Sequence, residues 1–392
     1  REYESRIHSP SAVVFDIEVG GYPLFVMLTP ELLASIVSIH KKSSLLSWLQ
    51  SQLPDIAVTW YRKRLLIDEI KLTNDIENVH STRKEVKEAV ESVQGLTGSP
   101  QTVRFYGMAD KYLSLFRGNF AEIRTCQDVR SLYDTFVQQE VVAEDEKDRL
   151  DGEIFRKSTV YVQDSHGNRI HDGVYPESRI IELMERALFL LNNPSYDRLI
   201  RIAAFHYLFG YIHPFYNGNG RLSRYISSML LCNELGPLAG LRLSCVIKNH
   251  KKQYDRLFKD ANDAHSSGDI TDFVFAFCEY VEESLSDMMD TLQDGVDAVR
   301  RMETGISGRQ EFLGHEKVIR LLALNGIFAE DALSIEELQT HAECGRKHAQ
   351  DAIEAARKLG ILTQSRYGHK YLYSILPDVW PALIAQKVEN QV

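Results

Sequence analysis

Apolar positions along this chain recur mostly at three- and four-residue spacing, the period of amphipathic helices. Residues 11–28 depart from that period. There apolar and polar residues alternate around Gly20-Gly21 (Val13, Phe15 and Ile17, then Pro23, Phe25 and Met27), which predicts a short hairpin or loop. From Pro30 the helical period takes over, with Leu32, Leu33, Ile36 and Val37, then Leu45, Leu46 and Leu49. A helix is expected from about Asp55 to Leu72, broken by the polar cluster Thr73-Asn74-Asp75, and another through Val79, Val86, Val90 and Val93. The turn residues from Gly95 to Pro100 end it.

Residues 102–150 predict two or three more amphipathic helices, with Tyr106, Met108, Tyr112, Leu113 and Phe116 on one face and Val129, Leu132, Tyr133 and Phe136 on another. Between about Ile154 and Ile170 the pattern changes to a β-branched and aromatic run, Ser158–Val162, followed by the turn Asp164–Asn168, the clearest hairpin signal in the chain. Helical periods resume over Ile180–Leu191, Arg198–Ile212, Arg221–Glu234, His250–Ala264 and Ile270–Met302. Residues 303–314 contain three glycines and read as a linker. Beyond it, three helices (315–324, Ser334–Ala342, Arg346–Leu359) precede two short strands, Leu362–Arg366 and Tyr371–Tyr373, joined across Gly368. That order describes a winged helix-turn-helix.

Composition narrows the function classes only a little. With 44% hydrophobic and 26% charged residues and a net charge of −10, the chain is an ordinary globular one, with no global call for nucleic acid or an anionic membrane. No apolar run reaches the roughly 18 residues of a spanning helix, so no membrane partner is expected. Five scattered cysteines, without a C-x-x-C pair, argue against a disulfide framework or structural zinc site; a reducing compartment, by default the cytoplasm, is expected. Because the first residue is Arg1 rather than Met, the expectation is that the true N-terminus lies upstream, and a targeting segment there stays open.

The stretch richest in chemistry is His213-Pro-Phe-Tyr-Asn-Gly-Asn-Gly-Arg-Leu-Ser-Arg224, between the apolar runs Leu199–Ile212 and Leu222–Leu231. A glycine-rich loop entering a helix aims backbone N–H groups and the positive end of the helix dipole at one point, which suits phosphate. Gly218 and Gly220 permit close approach. Arg221 and Arg224 lie one turn apart on one face, two guanidinium forks beside that point. His213, at the loop's entry, could take a proton from an attacking hydroxyl.

This string resembles the Fic family signature H-P-F-x-[DE]-G-N-G-R-x-x-R, matching every fixed position except one. The resemblance implies a mainly α fold, a Fic-type all-α core with a short β-hairpin flap, here followed by the small winged helix-turn-helix domain. It implies a protein adenylyltransferase using ATP and Mg2+. His213 would be the general base that deprotonates a Ser, Thr or Tyr hydroxyl for attack on the ATP α-phosphate. Gly218, Asn219 and Gly220 would form the anion hole, Arg221 and Arg224 would hold the β and γ phosphates, and Phe215 would anchor the loop. The departure is Asn217, where the family has the Asp or Glu that holds the metal; a neutral amide is a weaker ligand for a hard cation.

Thr73-Asn-Asp-Ile-Glu77-Asn78 is similar to the family's inhibitory pattern [ST]-x-x-x-E-[GN], placed ahead of the main motif as in the subclass with an N-terminal inhibitory helix. By that resemblance Glu77 would reach Arg224 and occupy the γ-phosphate site, and Thr73 would cap the helix carrying Glu77. Tyr254 and Asn262 fall where the family places adenine contacts. The 158–171 hairpin falls at the family's flap, which docks the protein target by strand pairing. His166 and His171 read as surface residues and His206 as a packed helix residue.

The expected domains are 1–302, a Fic domain with an N-terminal helical extension and an inhibitory helix at about 55–95; the 303–314 linker; and 315–392, the winged helix. In the last, Arg346, Lys347, Arg357 and Lys358 could face DNA, but residues 309–392 hold ten Lys or Arg against eleven Asp or Glu, so charge does not support DNA binding. A homodimer stays open. Two further readings remain beside AMP transfer: removal of AMP at the same site, and a nucleotide-binding regulator with weak catalysis because of Asn217.

Overall fold

The computed structural model describes residues 2–95, 103–163 and 169–389. The chain divides into two compact units, one formed by residues 1–44 and 66–286, the other by 45–65 and 287–392.

The first unit opens with helix α1 (Glu2–Ile7) and the hairpin of β1 (Ala12–Val19) and β2 (Tyr22–Met27). Gly20 and Gly21 turn it with φ of 61° and 84°, the pair of left-handed residues that a tight two-residue turn needs. Helices α2 (Pro30–Ser51) and α3 (Asp55–Ile76) follow, and the unit boundary falls inside both. Next come α4 (Arg83–Val93), α5 (Tyr106–Phe116), α6 (Cys126–Phe136) and α7 (Gln138–Glu144). Thr82 and Thr125 close capping boxes with Glu85 and Asp128, so the starts of α4 and α6 are written in the sequence.

A hairpin of β3 (Tyr161–Gln163) and β4 (Arg169–Asp172) precedes α8 (Glu177–Asn192), α9 (Arg198–Ile212) and α10 (Asn219–Leu235). α9 packs against both α8 and α10. Nearly every side chain of α10 is buried, polar ones included, so this helix forms the centre of the unit rather than one wall of it. Then come α11 (Leu243–Asn249), α12 (Lys251–Ala261) and α13 (Thr271–Ile306), the last of which contains the second unit boundary.

In the second unit α14 (Glu316–Phe328), the short strand β5 (Leu333–Ser334), α15 (Ile335–Ala342) and α16 (Arg346–Lys358) lead to β6 (Leu362–Tyr367), β7 (Lys370–Ile375) and α17 (Trp380–Glu389). The strands make an antiparallel sheet in the order β5-β7-β6. Ser334 and Glu337 form the capping box that starts α15.

The structure departs from the sequence reading in three places. α3 does not break at Thr73-Asn74-Asp75: the buried Thr73 accepts from Arg224 and Asp75 pairs with Lys71, so two of the three polar residues have partners within the fold, and the helix runs on to Ile76 although the buried Asn74 amide has none among the described residues. The proposed 303–314 linker begins inside α13. Its Gly305 packs against Trp380, whose Cε3 lies 2.8 Å from where a Cβ would stand, so this glycine permits a close contact rather than marking a flexible joint. The short helices α1, α11 and α17 were not foreseen, being too brief to show a period.

Candidate functional site

The turn between α9 and α10 is built by its own side chains. α9 ends at His213, whose φ of 51° is left-handed, and Gly218 precedes α10 with φ of 81°. Phe215 is fully buried and stacks on Tyr133, ring centroids 3.8 Å apart at 8°, with Phe155 edge-on at 5.5 Å. The Asn219 side chain grips Phe215 from both sides: its Oδ1 accepts from the Phe215 N–H at 2.9 Å and its Nδ2 donates to the Phe215 carbonyl at 2.8 Å. The amide of Asn219 is therefore committed to holding the loop, and only its backbone N–H is free to serve an anion.

Arg156, fully buried, holds the loop from outside. It donates to the carbonyls of His213 at 2.9 Å, Ser158 at 2.5 Å and Val174 at 2.8 Å. Sequence reading missed Arg156, since a single arginine in an irregular stretch has no period to reveal it. Tyr216 adds a second tie, accepting from the Ser158 N–H at 3.0 Å and donating to Asp151 at 2.8 Å. β3 and β4, with Gly173 donating to Val160, thus stand beside the loop, while the turn 164–168, including His166, lies outside the described residues. His171 is half-buried: its Nε2 meets the Tyr211 carbonyl at 2.7 Å and its ring lies against Tyr211.

The half-buried His213 imidazole has Nδ1 at 3.4 Å from the Gly210 carbonyl. Burial brings its pKa down to about 4, although that carbonyl pulls the other way, and the Arg156 charge adds to the lowering. The ring is neutral near pH 7, as a proton acceptor must be.

Arg224 and Arg221 face the start of α10 from within the core, at 1% and 0% exposure. Arg224 donates from Nε to Thr73 Oγ1 at 2.8 Å, and from Nη2 to the Thr73 carbonyl at 3.1 Å and to Glu77 Oε1 at 2.8 Å. Burial pulls its pKa down, but the charge and hydrogen bond of Glu77, together with Tyr254 and Tyr112, leave it raised. Glu77 responds in the opposite sense: desolvation pushes its carboxyl up, and Arg224 holds it below the usual range. The Glu77 carboxylate lies directly over Gly220, where a Cβ would collide with it. An anion therefore already rests on the first turn of α10. Thr73 does not cap a helix carrying Glu77. Since α3 runs through Thr73, its side chain is free to accept from Arg224 instead, and Glu77 comes just after the helix end.

Arg221 differs from Arg224. None of its three guanidinium nitrogens has a hydrogen-bond partner. Burial lowers its pKa against the nearby charges of Glu144, Glu77 and Glu140. A buried, unpaired fork at the positive end of a helix is a costly arrangement that an incoming anion would relieve.

Asn217 folds back on the turn, its Oδ1 accepting from the Gly218 N–H at 2.6 Å and its Nδ2 donating to Asp148 Oδ2 at 3.1 Å. Among the described residues no group of three or more His, Cys, Asp or Glu could hold a metal ion by itself. A magnesium-like ion that keeps water and phosphate oxygens asks for only one or two carboxylates, so Asp148 and Asn217 fit such an ion alongside a nucleotide and not without one.

Tyr254 is brought to the site. Its hydroxyl meets His206 Nε2 at 2.7 Å and feels the Arg224 charge, while His206 Nδ1 meets Ser227 at 2.8 Å. His206 is thus the packed residue expected, kept neutral by burial with a pKa of about 3. Asn262 lies two turns further on, accepting from the Tyr207 hydroxyl at 2.9 Å. It lines a cavity of about 490 Å³ together with Tyr211, His171, Asp172 and Tyr22. Glu69 was missed. It is fully buried on α3, accepts from the Ser244 N–H and hydroxyl, and burial raises its pKa to about 7.

Residues 125–231, which include the whole His213–Arg224 turn, match the model of the Fic/DOC family. They form a Fic-family domain. Protein adenylyltransferase Fic of Drosophila ananassae is 32% identical over 138 residues, covering 35% of this chain and 25% of the relative. The Drosophila mojavensis protein of the same name is 36% identical over 141 residues, with the same two shares. This chain therefore spans about a quarter of the length of those curated relatives. A crystal structure of a Fic family protein from Desulfovibrio desulfuricans G20 superposes with a TM-score of 0.53 at 19% identity, over 89% of this chain and 97% of the other. That likeness extends the Fic fold well beyond the matched segment. Thr73 and Glu77 lie outside that segment, so their contact with Arg224 rests on geometry alone. Among the described residues no helix is long and apolar enough to cross a membrane.

Proposed function

We propose that this chain transfers AMP from ATP to a Ser, Thr or Tyr hydroxyl of a protein, itself included, and that Glu77 holds it in check. One observation carries the reading. The Glu77 carboxylate sits on Arg224 and over Gly220, beside the unpaired Arg221, so a carboxylate occupies part of a cradle made for several negative charges.

In the proposed reaction His213 takes the proton of the attacking hydroxyl as a new oxygen–phosphorus bond forms at the α-phosphate. The bond to the β-phosphate breaks and pyrophosphate leaves. The backbone N–H groups at 218–220 and Arg221 receive the negative charge, and Phe215, Asn219 and Arg156 keep the turn in place while they do so. A divalent cation, when bound, would offset the phosphate charge, and Asp148, hydrogen-bonded to Asn217 of the turn, would offer it a carboxylate. The β3–β4 hairpin is the proposed dock for the target segment by strand pairing. The helices and sheet of the second unit are read as a winged helix. Its mixed charge favours a protein contact over DNA.

The test is transfer of label from α-labelled ATP. Glu77→Gly should label itself or an added target more strongly than the parent, and adding His213→Ala should abolish the label. A Glu77→Gly variant that binds ATP yet transfers nothing would support the second reading, a nucleotide-binding regulator, which the neutral Asn217 favours.

A further inference from the structure

We propose that Asp148, held in position by Asn217, supplies the anionic ligand for the divalent cation that accompanies the nucleotide. This rests on the proposed use of ATP at the α10 turn. The reading turns on the one position where the turn departs from its family pattern. An amide at 217 can offer a cation only its Oδ1, and that atom is engaged with the Gly218 N–H at 2.6 Å. The other end of the amide points to a carboxylate that the chain supplies from 69 residues away, Asp148 Oδ2 at 3.1 Å. One N–H donor uses one lone pair of that carboxylate and leaves the others available. Asn217 in this arrangement acts as the orienting partner of a ligand, as residues behind metal ligands commonly do.

A single carboxylate does not make a site, and two independent features mark the place. The Tyr133 hydroxyl is buried with no hydrogen-bond partner, and it lies within electrostatic reach of both Asp148 and Arg221. Arg221, also buried, has no partner on any of its three nitrogens. A carboxylate that acts on the Tyr133 phenol, and a guanidinium without a hydrogen-bond partner that acts on the same phenol, are thus both near the turn. A phosphate carrying a cation satisfies both together: its oxygens meet Arg221 and the cation meets Asp148. The buried Glu140 is poorly suited as a rival, since desolvation pushes its carboxyl up and disfavours the ionised form that a cation needs.

The experiment compares ATP affinity by calorimetry in EDTA and in Mg2+, using the full chain with Glu77→Gly. Mg2+ should tighten ATP binding by about tenfold or more in that background, and by less than about twofold once Asp148→Asn is added. Adding Asn217→Asp to the double variant should restore the gain by returning the carboxylate to the loop. An undiminished Mg2+ gain in the Asp148→Asn variant overturns the assignment and leaves the nucleotide reading standing. Equal loss of ATP binding in EDTA and in Mg2+ on Asp148→Asn also overturns it, because Asp148 would then be structural. Absence of ATP binding to Glu77→Gly under both conditions overturns the nucleotide reading and this inference with it.

Discussion

Removing the Glu77 carboxylate should strengthen ATP binding by an amount that its own geometry sets. The contact to Arg224 is one charge-assisted hydrogen bond of 2.8 Å between a guanidinium at 1% exposure and a carboxylate at 35%. Such a bond nets about 1.5–3 kcal/mol when desolvated. With a third of the carboxylate open to solvent, screening lowers this to about 1–2 kcal/mol. If the γ-phosphate must displace the carboxylate from the same nitrogen, Glu77→Gly should tighten metal-free ATP binding by about 5- to 30-fold. Glu77→Gln, which keeps the shape and loses the charge, should recover most of that gain. Calorimetric titration of ATP and of ADP separates the contributions, since a ligand without a γ-phosphate has less reason to compete. Equal ATP affinity in the parent and in Glu77→Gly would refute the reasoning, and so would an equal gain for ADP.

The remaining predictions concern the loop and its supports. Because burial holds His213 near a pKa of about 4, the proposed general base is already neutral at pH 6. AMP transfer by Glu77→Gly should therefore stay flat from about pH 6 to 8; a rise centred near 6.5, where an ordinary imidazole loses its proton, would contradict this. Glu69 has a folded-state pKa raised to about 7, so the folded state binds the extra proton between the ordinary carboxylate range and that value. Stability should fall as pH rises through that window and level off above it, and Glu69→Gln should lack this slope in chemical denaturation. Phe215→Ala removes a fully buried ring stacked on Tyr133 and should cost about 3–5 kcal/mol, read as a lower denaturation midpoint.

Much of the fold and the centre of the site were legible because their signals are local. The helices from α8 to α10 show their period directly, the Gly20-Gly21 turn has the residues such a turn needs, and the twelve positions from His213 to Arg224 are contiguous. What escaped notice depends on distance along the chain. Arg156 acts through three backbone carbonyls, and a carbonyl has no sequence identity to match. Glu69 sits on α3 at a position that periodicity would assign to the core, and residues far along the chain, Ser244 foremost, then the Arg224 charge and Ser228, make a carboxylate tolerable there. The break expected at Thr73 failed for the same reason. A polar residue inside a helix reads as a stop until its buried partner is known, and here that partner is Arg224.

That partner also bears on how relief of Glu77 would work. Arg224 is held twice, by Thr73 on α3 and by Glu77 just beyond its end, yet the two contacts use the guanidinium differently. Thr73 takes Nε and part of Nη2 from inside the core, whereas Glu77 takes Nη2 from the side of Gly220. If Glu77 left and α3 stayed, Thr73 would still fix the plane of the guanidinium, and the fork would remain aimed over the first turn of α10 at no further cost in side-chain entropy. If α3 had to unfold instead, Arg224 would lose its orientation along with its Glu77 contact, and Glu69 would lose Ser244. Displacement confined to the residues after Ile76 is thus the economical route for the proposed relief. Glu77 stands one residue beyond the helix end, where the backbone can move without breaking the helix that holds the arginine.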